Sequence, residues 1–311
     1  MDTITKFYPI SYNEPTKKDM AIIMVYFNAT KSVRIAQHIL LVKQYLDNAN
    51  IPYYIGELSI DGSPYLFEES SNIFHYKTDH YMFYKENLIN LVEARIPDEY
   101  TKICNIDADI FFSDPDWYNL VSNILESANI CQPFNTANWL NIKNNNLILT
   151  RQNCLMDKED GHPGFAWAFT RKFFKLCHLP DFCVTGSGDL CFYRLIVNNV
   201  GLTDEHFKYL VPSMNNYIKS FNILAKISNT FITFGYVNQY VYHLYHGSHE
   251  NRKYDDRHKN IIDTLKKFNV ISIEDMIDYD SNGLRCWKPP YKEEMNKHIK
   301  KYLCGRNDDG I

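Results

Sequence analysis

In the stretch KICNIDADIFFSDPDW, Lys102 to Trp117, two aspartates interrupt an otherwise apolar run. Asp107 and Asp109 stand two residues apart, so in a continuous strand both side chains point to the same face. They would then lie side by side among Ile106, Ile110, Phe111 and Phe112. Buried like charges repel, and each loses its hydration unless something positive compensates. Such a segment must either bring the pair out at an exposed strand end or hold a cation against it.

The flanking sequence indicates the kind of sheet. DMAIIMVYFN (19–28) is an apolar run with little alternation, the pattern of a strand buried on both faces. ATKSVRIAQHILLVKQYLDNAN predicts a helix, with Val33, Ile35, Ile39, Leu40 and Tyr45 on one apolar face. IPYYIGEL predicts a second strand, which completes the strand–helix–strand pattern of a parallel sheet. A further helix, YKENLINLVEARI, ends near Pro97-Asp98 and leads directly into the Asp107/Asp109 strand. The first 130 residues therefore read as an open α/β sheet of the nucleotide-binding type. Such sheets bind ligands at the carboxyl ends of their strands, where Asp109 falls. In SDPDW, Asp114 is placed to cap the next helix, with Pro115 at its first position.

From about Asn135 the texture changes to Asn-rich loops and short aromatic segments, with no linker and no internal repeat, so one continuous unit is expected. HLYHGSHENRKYDDRH leaves a strand, NIIDTLKKF continues as a helix, and SIED has capping-box spacing for another. A last amphipathic helix, PYKEEMNKHIKKYL, stops at Gly305; its lysines read as a solvated face.

With 311 residues, 45% of them hydrophobic, the chain can bury a sizeable core. A formal net charge of -4 with no basic domain argues against nucleic acid as a partner. The N-terminal stretch lacks the apolar region of a secretory signal, and no apolar run is long enough for a transmembrane segment. The eight cysteines show no C-x-x-C spacing and read as free thiols of a reducing compartment, so a cytoplasmic protein is expected.

Four stretches carry chemistry. Asp107-x-Asp109 suits a hard divalent cation, Mg²⁺ or Mn²⁺, of the kind that also holds substrate phosphates. His243, His246 and His249 recur every third residue, with Arg252, Lys253 and Arg257 following. An imidazole there suits a third metal ligand and the cations suit a diphosphate, against the plainer reading of a solvated loop. In TGSGDL, Asp189 opens an apparent helix, where the dipole keeps a carboxylate ionised as a general base needs; an ordinary helix cap has the same spacing. GHPGFAWAFTR combines Gly161 and Gly164 with Phe165 and Trp167, a surface for stacking a sugar or a stretch of core.

Taken in this order, the four stretches resemble nucleotide-sugar glycosyltransferases of the GT-A fold, most of all family-2-type enzymes of bacteria, phages and large DNA viruses. YKENLINLVEARIPDEYTKICNIDADIFFSD carries most of the likeness and HGSHENRKYDDRH the rest, over roughly residues 20 to 265. The resemblance implies a Rossmann-like open mixed sheet flanked by helices in residues 1–265, with a donor-binding half near 20–130 and an acceptor and catalytic half near 131–265. A C-terminal helical extension, 266–311, would follow. It implies that Asp109, with Asp107 directly or through water, and His246 hold Mn²⁺ or Mg²⁺ on the donor diphosphate. Lys85 would sit near the donor or the Asp-x-Asp pair, Arg252 and Lys253 would cover the pyrophosphate, and Tyr26, Asn28 and Glu57 would hold the nucleoside. Asp189 matches the catalytic base of inverting members, although many of those carry Glu-Asp where this chain has Gly188-Asp189. Gly164, Phe165 and Trp167 would line the acceptor side. The implied partners are a nucleotide-sugar donor, UDP-linked in most metal-dependent relatives, and a glycan, protein or lipid acceptor. Two other readings compete: a non-catalytic sugar- or nucleotide-binding protein on the same fold, and an Asp-x-Asp, Mg²⁺-dependent phosphatase of the haloacid dehalogenase type.

Overall fold

β1 (Met20–Tyr26) is buried along almost its whole length, as its unbroken apolar run requires. It pairs in parallel with β2 (Tyr53–Ile60) on one side and β4 (Lys102–Ile106) on the other. β3 (Ile73–Thr78) extends the sheet in parallel beyond β2. The computed structural model describes residues 6–201, 205–248, 250 and 256–310.

Alternate residues of β1 feed opposite faces of the sheet. Met20, Ile22 and Met24 meet α1 (Val33–Asn48) and α3 (Trp117–Ile124) through Ile39, Val42, Leu46, Trp117 and Val121. Ala21 and Ile23 face α2 (Lys85–Glu93). α1 starts at Ser32, whose hydroxyl accepts from the Ile35 amide at 3.1 Å. α2 buries Leu88, Ile89 and Val92, each a gain of about 1.5–3 kcal/mol. It lies so close to β2 that a Cβ at Gly56 would come within 2.6 Å of the Val92 side chain.

The apolar run 103–112 is not one strand. β4 ends at Ile106, residues 107–109 turn, and β5 (Ile110–Phe112) joins a second sheet. A continuous ladder would have buried both carboxylates among aliphatic side chains; the turn releases them at the strand end. Asp114 is also not the helix cap. Its carboxylate accepts from the Asp116 amide at 2.8 Å and tightens the turn before α3.

The remaining strands are β6 (Ile130–Gln132), β7 (Thr136–Leu140), β8 (Leu147–Gln152), β9 (Ala166–Thr170), β10 (Phe234–Tyr236) and β11 (Tyr240–His243). The large sheet has the order β10-β6-β9-β4-β1-β2-β3, with β9 antiparallel to both neighbours. The smaller one runs β5-β11-β7-β8. α4 (Arg171–Cys177), the short α5 (Gly188–Phe192) and α6 (Val211–Ile227) lie between β9 and β10 in the chain. The architecture is thus an open mixed sheet flanked by helices.

After β11 come α7 (Asp256–Lys267), the hairpin β12 (Ile277–Tyr279) and β13 (Arg285–Trp287), and α8 (Lys292–Cys304). SIED forms a single 3-10 turn rather than a full helix, with Ser272 Oγ accepting from the Glu274 amide. The C-terminal extension carries a hairpin as well as helices, and it is not a loose appendage. Leu284, Trp287, Met295, Ile299 and Leu303 share one core with Tyr84 and Leu88. On α2, Asn87 accepts from the Arg285 amide and donates to the Gly283 carbonyl. Lys292 and Lys300 pair with Asp79 and Asp61. Among the described residues, no helix is long and apolar enough to cross a membrane.

Candidate active site

The turn 107–109 opens into a cleft of about 920 Å³ between the two sheets' strand ends. β11 runs antiparallel to β5, and its last residue, His243, is registered opposite Ile110. The Leu244 amide then donates to the Asp109 carbonyl at 2.8 Å, which locks the two segments together just past the strand. As a result Asp109 Oδ2 lies 2.9 Å from His246 Nε2 and 3.4 Å from His243 Nε2. These three ligand-type atoms all fall within 4.8 Å of one another. Burial pushes the Asp109 carboxyl up, but the two imidazoles outweigh it and hold it well below the usual carboxylate range.

Asp107 has a different partner. Lys85, at the start of α2, places Nζ 2.5 Å from Asp107 Oδ1. Burial, Asp109 and Asp189 nevertheless leave the Asp107 carboxyl raised, against the pull of Lys85. Lys85 itself loses by burial and gains more from Asp107, Asp189 and Glu86, so its ammonium stays charged. The acidic pair is therefore split: one carboxylate is neutralised by a lysine and the other is held by two histidines.

The donor set Asp109, His243 and His246 fits a divalent ion. One carboxylate with two imidazoles is a softer set than the all-oxygen one that Mg²⁺ prefers. His243 was named in sequence only as one of three evenly spaced histidines; the register of β11 is what singles it out. Phe165 backs it, with the two rings stacked at 4.9 Å and 13°. The Phe165 carbonyl accepts from the Asp107 amide at 2.7 Å. Its backbone sits at φ 73, a left-handed conformation uncommon for an aromatic residue, which these contacts hold in place.

Asp189, which also lines the cleft, lies in the first turn of α5, preceded by Ser187 at φ 75 and Gly188. Gly188 has no room for a side chain: a Cβ there would meet the Glu86 side chain at 2.2–2.5 Å. The space a side chain at 188 would take is thus occupied by the Glu86 side chain, arriving from α2. Glu86 is buried, and burial, reinforced by Asp189 and Asp107 and opposed chiefly by Lys85, pushes it up to about 8. Gly164 is close to both Asp189 and His162, since a Cβ on it would meet Asp189 Oδ2 at 2.6 Å and His162 Nε2 at 3.0 Å. Burial takes His162 down to about 3, and its Nε2 has no hydrogen-bond partner among the described residues.

Other expected residues fall differently. Trp167 does not line the cleft; at 2% exposure it packs on Phe192 and donates from Nε1 to the Pro163 carbonyl. β9 is an interior strand, so its Trp faces core rather than solvent. Glu57 is likewise absent from the cleft lining and buried. Both its oxygens accept loop amides, Leu66 at 2.5 Å and Phe67 at 3.1 Å, which anchors the loop beyond β2. Tyr26 is buried with its ring edge-on to Phe67, and it too is absent from the cleft wall. Asn28 does line the cleft, while its side chain braces the turn to Ser32 through both amide atoms. His249, Arg252 and Lys253 lie outside the described residues.

The segment after α8, unassigned by sequence, also reaches the site. Asp308 is buried, pairs with Arg306 at 2.8 Å, and places Oδ1 3.7 Å from His246 Nδ1. Its carboxyl is raised by burial but lowered more by His246 and Arg306. The eight cysteines are unpaired.

No protein-family model and no curated protein matches the chain. Among solved structures it is similar to the catalytic domain of Drosophila β1,4-galactosyltransferase 7 in complex with xylobiose. That likeness has 14% identity and a TM-score of 0.31, covering 69% of this chain and 63% of the other. A mutant of that enzyme with manganese, UDP-Gal and xylobiose gives 13% identity and a TM-score of 0.34, with 69% and 64% covered. Mouse xyloside xylosyltransferase 1 in its apo form gives 10% and 0.31, with 75% and 97% covered. The chain spans under two thirds of the galactosyltransferase chains. At these identities and TM-scores the likenesses carry no argument about its chemistry, which rests on its own residues.

Proposed function

We propose that the protein is a metal-dependent glycosyltransferase that moves a sugar from a nucleotide sugar, a UDP-sugar by preference, to an acceptor hydroxyl with inversion. The observation that carries this reading is the grouping of Asp109, His243 and His246 in a cleft that Asp189 also lines. In this reading the half near 20–130 supplies Lys85, Asp107 and Asp109, and the half near 131–265 supplies Asp189, His243 and His246.

Mn²⁺ held by Asp109, His243 and His246 would neutralise the negative charge that grows on the departing diphosphate. Lys85 stands beside the same region, held by Asp107, and its remaining ammonium protons can donate to a donor phosphate. Asp189 takes the proton of the acceptor hydroxyl as its oxygen attacks the anomeric carbon. The sugar–phosphate C–O bond breaks with its electron pair passing to the diphosphate, and one displacement inverts the centre. Gly164 leaves the approach to Asp189 open, and Phe165 fixes the His243 ring against rotation. Arg252 and Lys253 remain assigned to the pyrophosphate by the sequence resemblance alone.

The test is nucleotide release from a panel of nucleotide sugars with Mn²⁺, with and without chelator. Release from one donor, abolished by chelator and by Asp189→Asn in the presence of acceptor, is the expected result. Metal-dependent UDP binding with no turnover on any donor or acceptor would favour the non-catalytic binding protein instead. Failure to bind any nucleotide with metal overturns the role given to Asp109.

A further inference from the structure

We infer that the segment after α8 is a working part of the metal site, with Asp308 as the positioning residue that holds His246 in ligating orientation. The inference rests on the metal-site reading above and adds to it a segment that reading does not use.

A carboxylate buried to 3% exposure needs a reason, since its desolvation is costly unless charge and hydrogen bonds compensate. Arg306 supplies one compensation, donating from Nε at 3.2 Å and from a terminal nitrogen at 2.8 Å to Asp308 Oδ1. The same oxygen faces His246 Nδ1 at 3.7 Å, just beyond hydrogen-bond reach. His246 Nδ1 has no hydrogen-bond partner among the described residues, although the residue is buried. Its Nε2 points the other way, to Asp109 at 2.9 Å. An imidazole that ligates through Nε2 keeps its proton on Nδ1, and that N–H needs an acceptor. Asp308 is the carboxylate placed to accept it, after a shift of less than an ångström.

The position of Asp308 is built rather than incidental. The next residue, Asp309, accepts from Ser32 Oγ at 2.6 Å and from the Arg34 amide at 3.0 Å, so it sits on the N-terminus of α1. Arg34 Nε also donates to the Asp309 carbonyl at 3.1 Å. Gly310, at φ +65, lies against Tyr245, where a Cβ would fall 2.4 Å from the ring. Tyr245 is the neighbour of His246. The segment is thus clamped to α1 on one side and to the metal-site loop on the other, with Asp308 between.

The experiment is a Mn²⁺ titration of the full chain, alone and with UDP, followed by the electron paramagnetic resonance of free Mn²⁺. Thermal melts of every variant accompany it. Asp308→Asn is expected to weaken Mn²⁺ binding about 10- to 100-fold, the range for loss of such a partner. Asp308→Glu, which keeps the carboxylate, is expected to recover most of that loss. Asp308→Asn binding Mn²⁺ as the unaltered chain does would overturn the inference and leave the metal site standing. So would equal losses in Asn and Glu variants with parallel falls in melting temperature, because the role would then be structural. No Mn²⁺ binding by the unaltered chain would overturn the metal site itself, and this inference with it.

Discussion

Two buried charge clusters sit at opposite ends of β4, and they are built on opposite principles. At the start of the strand, Lys102 Nζ donates to Asp19 at 3.0 Å, to Ser122 at 2.9 Å and to Glu126. Those three bonds use all three ammonium protons. Asp19 in turn accepts from Ser122 and pairs with Lys17. Just past the other end, Asp107 and Asp109 stand with Lys85 and two histidines, and carboxyls outnumber fixed cations once Glu86 and Asp189 are included. There His246 Nδ1 and His162 Nε2 lack hydrogen-bond partners among the described residues. A closed, charge-balanced network asks for nothing more. An open one facing a cleft has capacity left for a ligand, and such unbalanced clusters mark functional sites.

The contrast breaks most sharply on activity. Asp109→Asn should lower metal-dependent nucleotide release by about 10³-fold or more, since it removes the one carboxylate in the set at near-constant shape. Its melting temperature should change little. A variant that keeps more than about a tenth of the activity would place the metal elsewhere. Lys102→Met should show the reverse. It leaves Asp19 buried beside the exposed Lys17 alone, and should cost about 3 kcal/mol in denaturant unfolding while activity per folded molecule stays unchanged. Loss of activity without loss of stability at Lys102 would erase the distinction between the two ends.

How the two clusters were legible in sequence also differs. β1, α1, β2 and α2 announce themselves because apolar runs and a 3.6-residue period encode burial locally. The strand end at Asp107 follows from the resemblance, but the restart as β5 does not announce itself, because it is decided by pairing with β11, a partner far along the chain. β3 escaped for a related reason: IFHYKT is short and mixed in polarity, and only its place beside β2 makes it a strand. Residue chemistry pointed to Asp107, Asp109, Asp189 and the His-rich stretch, all of which the fold brings to the cleft except the part outside the described residues. What chemistry alone could not supply was the partner. Nothing in KEN suggests that Glu86 fills the space over Gly188, and nothing in GRNDD suggests that Asp308 faces a histidine. Trp167 and Glu57 carry the opposite lesson, since residue types fit for a ligand can equally well serve a core or a loop anchor.

The smallest effect tests the imbalance itself, through Glu86. With its carboxyl pushed up to about 8 by burial and by Asp189 and Asp107, the folded protein holds a proton that the unfolded chain releases near 4.5. Between those values the folded state binds more protons, so stability must fall as pH rises through the window. Below about 4.5 both states are protonated and the effect vanishes; above about 8 the full penalty of a buried charge is present. Glu86→Gln keeps the shape over Gly188 and has no proton to lose. From pH 5 to 8, in chelator, the unaltered chain should therefore lose on the order of 2 kcal/mol more than the variant, from ~1.4 kcal/mol for each pH unit reduced by relaxation of the site. Lys102→Met leaves this pH-dependent loss in place, because Lys102 lies at the far end of the strand. Parallel curves for the unaltered chain and Glu86→Gln would mean that Lys85 already compensates Glu86. The open end would then be as balanced as the closed one.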